Sequence, residues 1–413
     1  MTELDRELPE GYKMTELGPL PEEWEVVKLG DVAEKMRAGG TPRRGIDQYW
    51  GGDIPFVLIE DMTSCDLYLS KTKETITEDG LNNSNAWLVP PNTILLSMYA
   101  TIGETAINSI PVATNQAILA IIPKDNFNTV FGAYILKYNA QRLIMQNIQS
   151  TQKNVNKGIV ENFKIPLPPL PEQRKIAAVL STVQEAKEKT EAVISAARDL
   201  KKSMMSYLFT YGPVPLPEAE RVPRKETELG MVPEEWEVVR LGEVADVNYG
   251  KANPKDNGNI PVVGSGGVYS GTKTPLVDYP TIVIGRKGTA GKAWLFLEPC
   301  YPSDTTFYLS WKQEVDIRFL FNYMVINPLS GEHAKTTLPS LQKPDLENYL
   351  IPLPPLPEQE KIASILSAID EKIEAEENKK KALEDLFNTL LHNLMAAKIR
   401  VNNLDLDKVE LAM

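Results

Sequence analysis

The stretch "IPLPPLPEQ" stands at Ile165–Gln173 and again, letter for letter, at Ile351–Gln359. A nine-residue identity at a distance of 186 positions makes the chain a duplication. Each copy opens on prolines, which lack an amide donor and favour an extended path. Each then places Pro171 or Pro357 where a helix can begin, because a missing N–H costs nothing in the first turn. The glutamate that follows, Glu172 or Glu358, suits the positive end of a helix dipole. The stretch therefore reads as a stiff exit from a globular domain into a helix. A proline-rich ligand for a peptide-binding groove is the competing reading, but both copies run straight into charged, apolar-periodic segments.

A second pair of segments extends the repeat. "TELGPLPEEWEVVKLGDVAE" starts at Thr15 and "TELGMVPEEWEVVRLGEVAD" at Thr227, with fifteen of twenty positions identical. The offset is 212 here and 186 at the proline joint, so the second intervening stretch is 26 residues shorter. Within the stretches only short pieces align, such as "TILLSMYATIG" (93–103) with "TIVIGRKGTAG" (281–291), each read as a buried strand and a turn. Segments kept alike within one chain do one job twice, and segments that have diverged do two jobs on one scaffold.

The segments after the joints carry heptads. In the first, Ile176, Val179, Val183, Ala186, Thr190, Val193, Ala197, Leu200, Met204 and Tyr207 alternate steps of three and four. In the second, Ile362, Leu366, Ile369, Ile373, Glu376, Lys380, Leu383, Phe387, Leu390 and Leu394 do so. Each helix is about 40 residues, or roughly 60 Å. Two separate amphipathic helices packed on their own domains would show the same pattern, but the length favours pairing. If paired, connectivity makes them antiparallel, and the repeat implies a pseudo-twofold axis across the rod. Glu376 and Lys380 interrupt the second seam, and Ala186 and Thr190 more mildly interrupt the first.

Composition bounds the function. Over 413 residues the hydrophobic share is 42% and the charged share 24%, as in an ordinary soluble protein of two or three domains. No apolar run reaches membrane-spanning length, and "MTELDRELPEGYK" has no signal-peptide core. Two distant cysteines, Cys65 and Cys300, fit a reduced, cytoplasmic protein without a disulfide framework. A net charge of −12 argues at first against nucleic acid. Its distribution argues the other way: residues 126–160 and 279–297 hold bases and no acid.

No reactive constellation stands out. The two histidines, His333 and His392, lie in no metal spacing. "GRKGTAGKA" fails as a phosphate loop, because five residues separate Gly285 from Gly291 and Ala293 replaces the required Ser or Thr. What remains suits recognition. "AGGTPRRG" presents Arg43 and Arg44, and "QSTQKNVNKG" gathers Thr151, Gln152, Lys153, Asn154 and Lys157. In the second half, Gly-rich loops bear Lys251, Lys255, Lys273, Arg286, Lys287 and Lys292. Arg and Lys suit phosphate and guanine, Asn and Gln adenine. Solvated polar surface is the plainer reading of any one of them. Three function classes follow: a DNA-reading protein, an adaptor joining two protein clients through a coiled coil, and a self-contained DNA-modifying enzyme. The acid-free loops speak against the second and the missing signatures against the third.

With "LPEEWEVVKLGDV" opening each half, "GGTP…YWGGDIPFVLIEDM" (39–62), "ATNQAI" (113–118), "VIGRKGTAG" (283–291) and the doubled joint followed by "KIA", the chain resembles the specificity subunit of a Type I restriction-modification system. The resemblance covers nearly the whole chain. It implies an α+β protein: two globular mixed α/β target-recognition domains separated by a long antiparallel two-helix coiled coil, with an internal pseudo-twofold repeat. The expected parts are a first recognition domain at 1–165, a central helix at 166–212, a second recognition domain at 213–350, and a helix with tail at 351–413. The seam expected to hold the helices is Ile176, Val179, Val183, Val193, Leu200 and Met204 against Ile362, Leu366, Ile369, Ile373, Leu383 and Leu390. Each domain would read one half of a split site in double-stranded DNA. Two methyltransferase subunits, and restriction subunits beyond them, are the implied partners. The implied chain is non-catalytic, with S-adenosylmethionine, ATP and Mg bound by those partners.

Overall fold

The computed structural model describes residues 8–146, 155–329 and 340–401, and it accounts for the doubled stretches by pairing them with each other. Lys164–Leu167 runs antiparallel to Glu25–Lys28, with Ile165 opposite Val27. Leu350–Leu353 runs antiparallel to Glu237–Arg240, with Ile351 opposite Val239. Trp24 and Trp236 are fully buried beside these ribbons. The indole Nε1 of Trp24 donates to Glu172 Oε2 at 2.9 Å, and that of Trp236 to Glu358 Oε2 at 2.9 Å. A buried indole N–H needs an acceptor, and a charged one is worth about 1.5–3 kcal/mol net. The next residue is used twice as well. Gln173 accepts from the amide of Asn128 and Gln359 from that of Asp316, and each donates to a carbonyl of its own proline run. Asn128 and Asp316 in turn cap the helices Thr129–Tyr138 and Ile317–Ile326. The conserved segments thus fasten strand, tryptophan, cap and long helix at one point.

The chain divides into two units, residues 1–190 with 379–413, and residues 191–378. In the first, the strands Ala33–Ala38, Ile118–Pro123, Ile94–Ser97, Thr105–Asn108 and Tyr68–Leu69 form a five-stranded sheet in that order. A three-stranded sheet has Trp50–Val57 between Ala113–Thr114 and Glu74–Ile76. The second unit repeats the plan with four strands, Ala245–Tyr249, Thr306–Trp311, Thr281–Gly285 and Ala293–Phe296. Its three-stranded sheet has Ile260–Gly264 between Gly267–Thr272 and Tyr301–Pro302. In both three-stranded sheets the short outer strand, 113–114 or 301–302, is parallel to the centre. Most of the length difference lies in one place. Where the second unit turns with residues 265–266, the first inserts 58–73, including the helix Ile59–Ser64.

The long helices are Leu170–Tyr211 and Leu356–Met395. Within the first unit, Ile176 and Leu180 share a core with Phe387, Leu391 and Leu394. Within the second, Met205 and Leu208 share one with Ile362 and Leu366. Both pairings run antiparallel. On the second helix Ile362 and Leu366 are buried, and Ile369, Ile373, Leu383 and Leu390 half-buried. On the first helix Ile176 is buried and Val179 and Val183 half-buried, but Val193 is 41% and Leu200 52% exposed. Ile194, Met205 and Leu208 are buried in their place, and Met204 is half-buried. The seam moves one residue toward the C-terminus because an α-helix drifts about 20° per heptad against a strict seven-residue repeat. Four heptads from Ile176 accumulate about 80°, close to the roughly 100° that separates neighbouring residues.

Candidate nucleic-acid interface

In the second unit three of the basic, Gly-rich loops converge on the turn 302–305. Lys251 donates its amide to Pro302 O, Arg286 and Lys287 donate theirs to Thr305 O, and Ser265 donates to Thr305 Oγ1. Close approach needs glycine here: a Cβ on Gly250 would stand 2.0 Å from Ser303 O. The Arg286 guanidinium lies over the rings of Tyr249 and Phe307, 5.1 and 5.8 Å from their centroids, and NH1 donates to Asp304 O at 3.3 Å. Its Nε is buried without an acceptor among the described residues. Lys292 Nζ lies 5.4 Å from the Trp294 ring centre. Lys251, Arg286 and Lys287 are therefore brought together by one turn, and Lys292 is tied to the strand before Arg286, its carbonyl accepting from the Gly285 amide at 2.8 Å. Lys273 is not part of that group. It follows the strand Gly267–Thr272, at the far end of the hairpin from Ser265, and its amide donates to Asp256. The Asp256 carboxyl is held below its usual range, first by a hydrogen bond to Thr272.

The first unit builds the same corner from other residues. Gly39 lies so close to the turn at 114 that a Cβ would stand 1.9 Å from Thr114 O. Beyond it Thr41 bonds Gln116 at 2.7 Å, and Arg43 is exposed. Arg44 is already engaged: it pairs with Glu74 at 2.7 Å and stacks on Trp50 at 3.9 Å. A charge so held is a poorer phosphate ligand than a free one, and Arg43 is the more available of the two. Lys157 lies elsewhere, in a short helix that leads into the strand 164–167, paired with Glu161 at 3.1 Å. Thr151, Gln152, Lys153 and Asn154 lie outside the described residues.

Several surface residues belong to these corners and were not singled out by sequence. In the first unit Lys35 and Arg37 flank the ring of Trp87 at 4.5 and 5.3 Å, and Trp87 Nε1 has no partner among the described residues. In the second unit Tyr249 and Tyr269 are 49% and 58% exposed. Tyr249 ends a strand just before Gly250 in "NYGK", and Tyr269 lies within a strand, followed by Ser270 and Gly271 in "VYSGT". An aromatic with that flank is the signal that could have found them.

The thiols are built for packing. Burial pushes Cys65 up to about 11 and Cys300 up to about 12, so neither is a thiolate near neutrality. Among the described residues no group of three or more His, Cys, Asp or Glu side chains could hold a metal, and no helix is long and apolar enough to cross a membrane.

Two copies of one fold, each with its own cationic and aromatic loops at one corner, define a duplicated recognition protein. The family model for the Type I restriction modification DNA specificity domain matches residues 21–196 and, a second time, 233–385. The chain belongs to that family: it is a specificity subunit of a Type I restriction-modification system, a non-catalytic component. It is similar to the MjaIX specificity subunit from Methanocaldococcus jannaschii, 28% identical over 95% of this chain and 97% of that one. Among solved structures, the S subunit of the Type I system from M. genitalium superposes with a TM-score of 0.62 at 17% identity, covering 90% of this chain and 96% of that one. A chain solved in work on complex assembly and conformational transition of the type I R-M system gives 0.55 at 21% identity, over 91% and 98%.

Proposed function

We propose that residues 1–165 and 213–350 are two target-recognition domains, each reading one half of an asymmetric, bipartite site in duplex DNA. The helical parts, 166–212 and 351–413, set the distance between the halves and dock two methyltransferase subunits. The observation that carries this is the contrast within the duplication. Strand pairing, the Trp–Glu bond and the glutamine cap recur residue for residue. The exposed corners differ: Arg43, Lys35 and Arg37 with Trp87 in one, Lys251, Arg286, Lys287 and Lys292 with Tyr249 in the other. Different side chains on one scaffold imply two different half-sites, and a symmetric frame suits two identical partners. S-adenosylmethionine is bound by the methyltransferase subunits, and ATP and Mg by the restriction subunits.

The test is co-expression with the methyltransferase gene of the same system. Expected are a complex with two methyltransferase chains per specificity chain and methylation at a split sequence with a fixed spacer. A complex of another stoichiometry, or methylation at an unsplit site, would overturn the proposal.

A further inference from the structure

The two Trp–Glu junctions differ in what lies beside them. In the first unit, Arg400 from the segment after the second long helix forks onto Glu172, Nε to Oε1 at 2.7 Å and NH2 to Oε2 at 3.0 Å. It also reaches Glu23 at 3.4 Å and lies 5.9 Å from the centre of the Trp24 ring. The duplication carries this set of residues over completely: Glu235 stands where Glu23 does, Trp236 where Trp24 does, and Glu358 where Glu172 does. Yet in the second unit neither Glu235 nor Glu358 forms an ion pair among the described residues. Beside them is a cavity of about 410 Å³, walled by Tyr211, Val214 and Trp236 and open to both carboxylates.

We infer that this cavity is a receptor for an arginine side chain supplied by the methyltransferase partner, doing in trans what Arg400 does in cis. The inference rests on the partner reading above. Three features favour the assignment. The same Glu–Trp–Glu residues already hold a guanidinium in the duplicate. Glu358 offers the two-oxygen, fork-shaped acceptor that Glu172 offers Arg400, which a guanidinium matches and an ammonium does not, and Glu235 adds a second charge as Glu23 does. The Tyr211 ring on the cavity wall already accepts one guanidinium, that of Arg224 at 4.9 Å, which shows the wall suits a flat cation. The segment after the first long helix lines the cavity with Val214, Val222 and Pro223, and among the described residues it sends no cation onto Glu358 or Glu235.

The probe is a fluorescent peptide of residues Ala396–Val401, AAKIRV, titrated onto the full chain, alongside the same peptide with R400A. The chain is used as wild type, Glu358→Gln and Glu235→Gln. Glutamine at 358 still accepts from Trp236 Nε1, and Glu235 is exposed, so a thermal melt should show all three folded. The peptide should bind the wild type and lose roughly tenfold to a hundredfold with R400A or with either variant. Purified methyltransferase subunit should displace the peptide and should bind both variants more weakly than wild type. Equal peptide binding to all three proteins would overturn the receptor. Methyltransferase that leaves the peptide in place, and binds all three proteins alike, would overturn the assigned occupant. Methyltransferase that fails to bind even the wild type would sink the partner reading itself, while the peptide titration reads the receptor independently.

Discussion

Replacing Arg286 with Ala tests the second recognition corner most directly. The guanidinium rests on Tyr249 and Phe307 and donates one long bond to Asp304 O. Ring contacts of this kind contribute about 0.5–1 kcal/mol at partly exposed sites, and a long, solvent-exposed bond from the guanidinium to a carbonyl about 0.5–1.5. The fold should therefore lose about 1–2 kcal/mol, small enough to leave it intact. If the free edge of the guanidinium reads a base, recognition should lose a further 1–3 kcal/mol at one position, roughly five- to 150-fold. The loss should fall on one half-site only. Arg286→Lys separates the roles: it keeps the charge and loses the paired donors, so base preference should fall while the salt slope stays. The assay is equilibrium binding with the methyltransferase partner present, against DNAs altered in one half-site at a time, over a salt series. Unchanged preference with a lowered melting point would show Arg286 to be a brace between the rings. Equal loss at both half-sites would refute the assignment of this corner to one half.

Further expectations follow from the packing. Ile194→Ala should cost about 2–5 kcal/mol and Val193→Ala under about 0.5, read as urea midpoints; equal costs would restore the strict heptad. Glu172→Ala should destabilise more than Glu358→Ala, because Glu172 serves both Trp24 and Arg400, and hydrogen exchange around each tryptophan would show the difference. With thiol values raised to about 11 and about 12, Cys65 and Cys300 should resist iodoacetamide at pH 8 and react only after unfolding, as mass spectrometry would report.

The duplication, the long helices and the α+β character were legible because each leaves a periodic or repeated trace. The contacts that join the repeats left less. Trp24 and Glu172 were both visibly repeated, but their 2.9 Å bond spans 148 residues, and nothing local marks it. The seam on the first helix was read one residue early in its second half because a strict repeat was imposed on a helix that drifts against it. At the loop corners the sequence shows the charges but not what holds them. Arg43 and Arg44 are neighbours in sequence, but only the fold puts Glu74 and Trp50 on Arg44. Trp87 packs against the core on one side, and only the fold puts Lys35 and Arg37 over its ring.

If the paired helices set the spacing of the two half-sites, a block removed from one helix must be matched on the other. The structure says which block. Lys201 pairs with Asp370 at 2.6 Å, and Arg198 with Glu377 at 2.6 Å. Because the pairing is antiparallel, excising Ile194–Leu200 calls for excising Glu371–Glu377. The whole Arg198–Glu377 contact then leaves together, and no half of it is left unpaired. A seven-residue block keeps Met205 and Leu208 on the buried face and Asn378 next to Asp370, while Lys201, still paired with Asp370, takes the place of buried Ile194 at some cost in stability. The rod shortens by about 10 Å, equivalent to about three base pairs. The expected result, by methylation mapping of the complex, is the same two half-sites with a spacer shorter by about three base pairs. Excising only one block should leave a heptad without a partner and cost the complex its stability. Altered bases within a half-site, or an unchanged spacer after the double excision, would mean that the distance is set by something other than these helices.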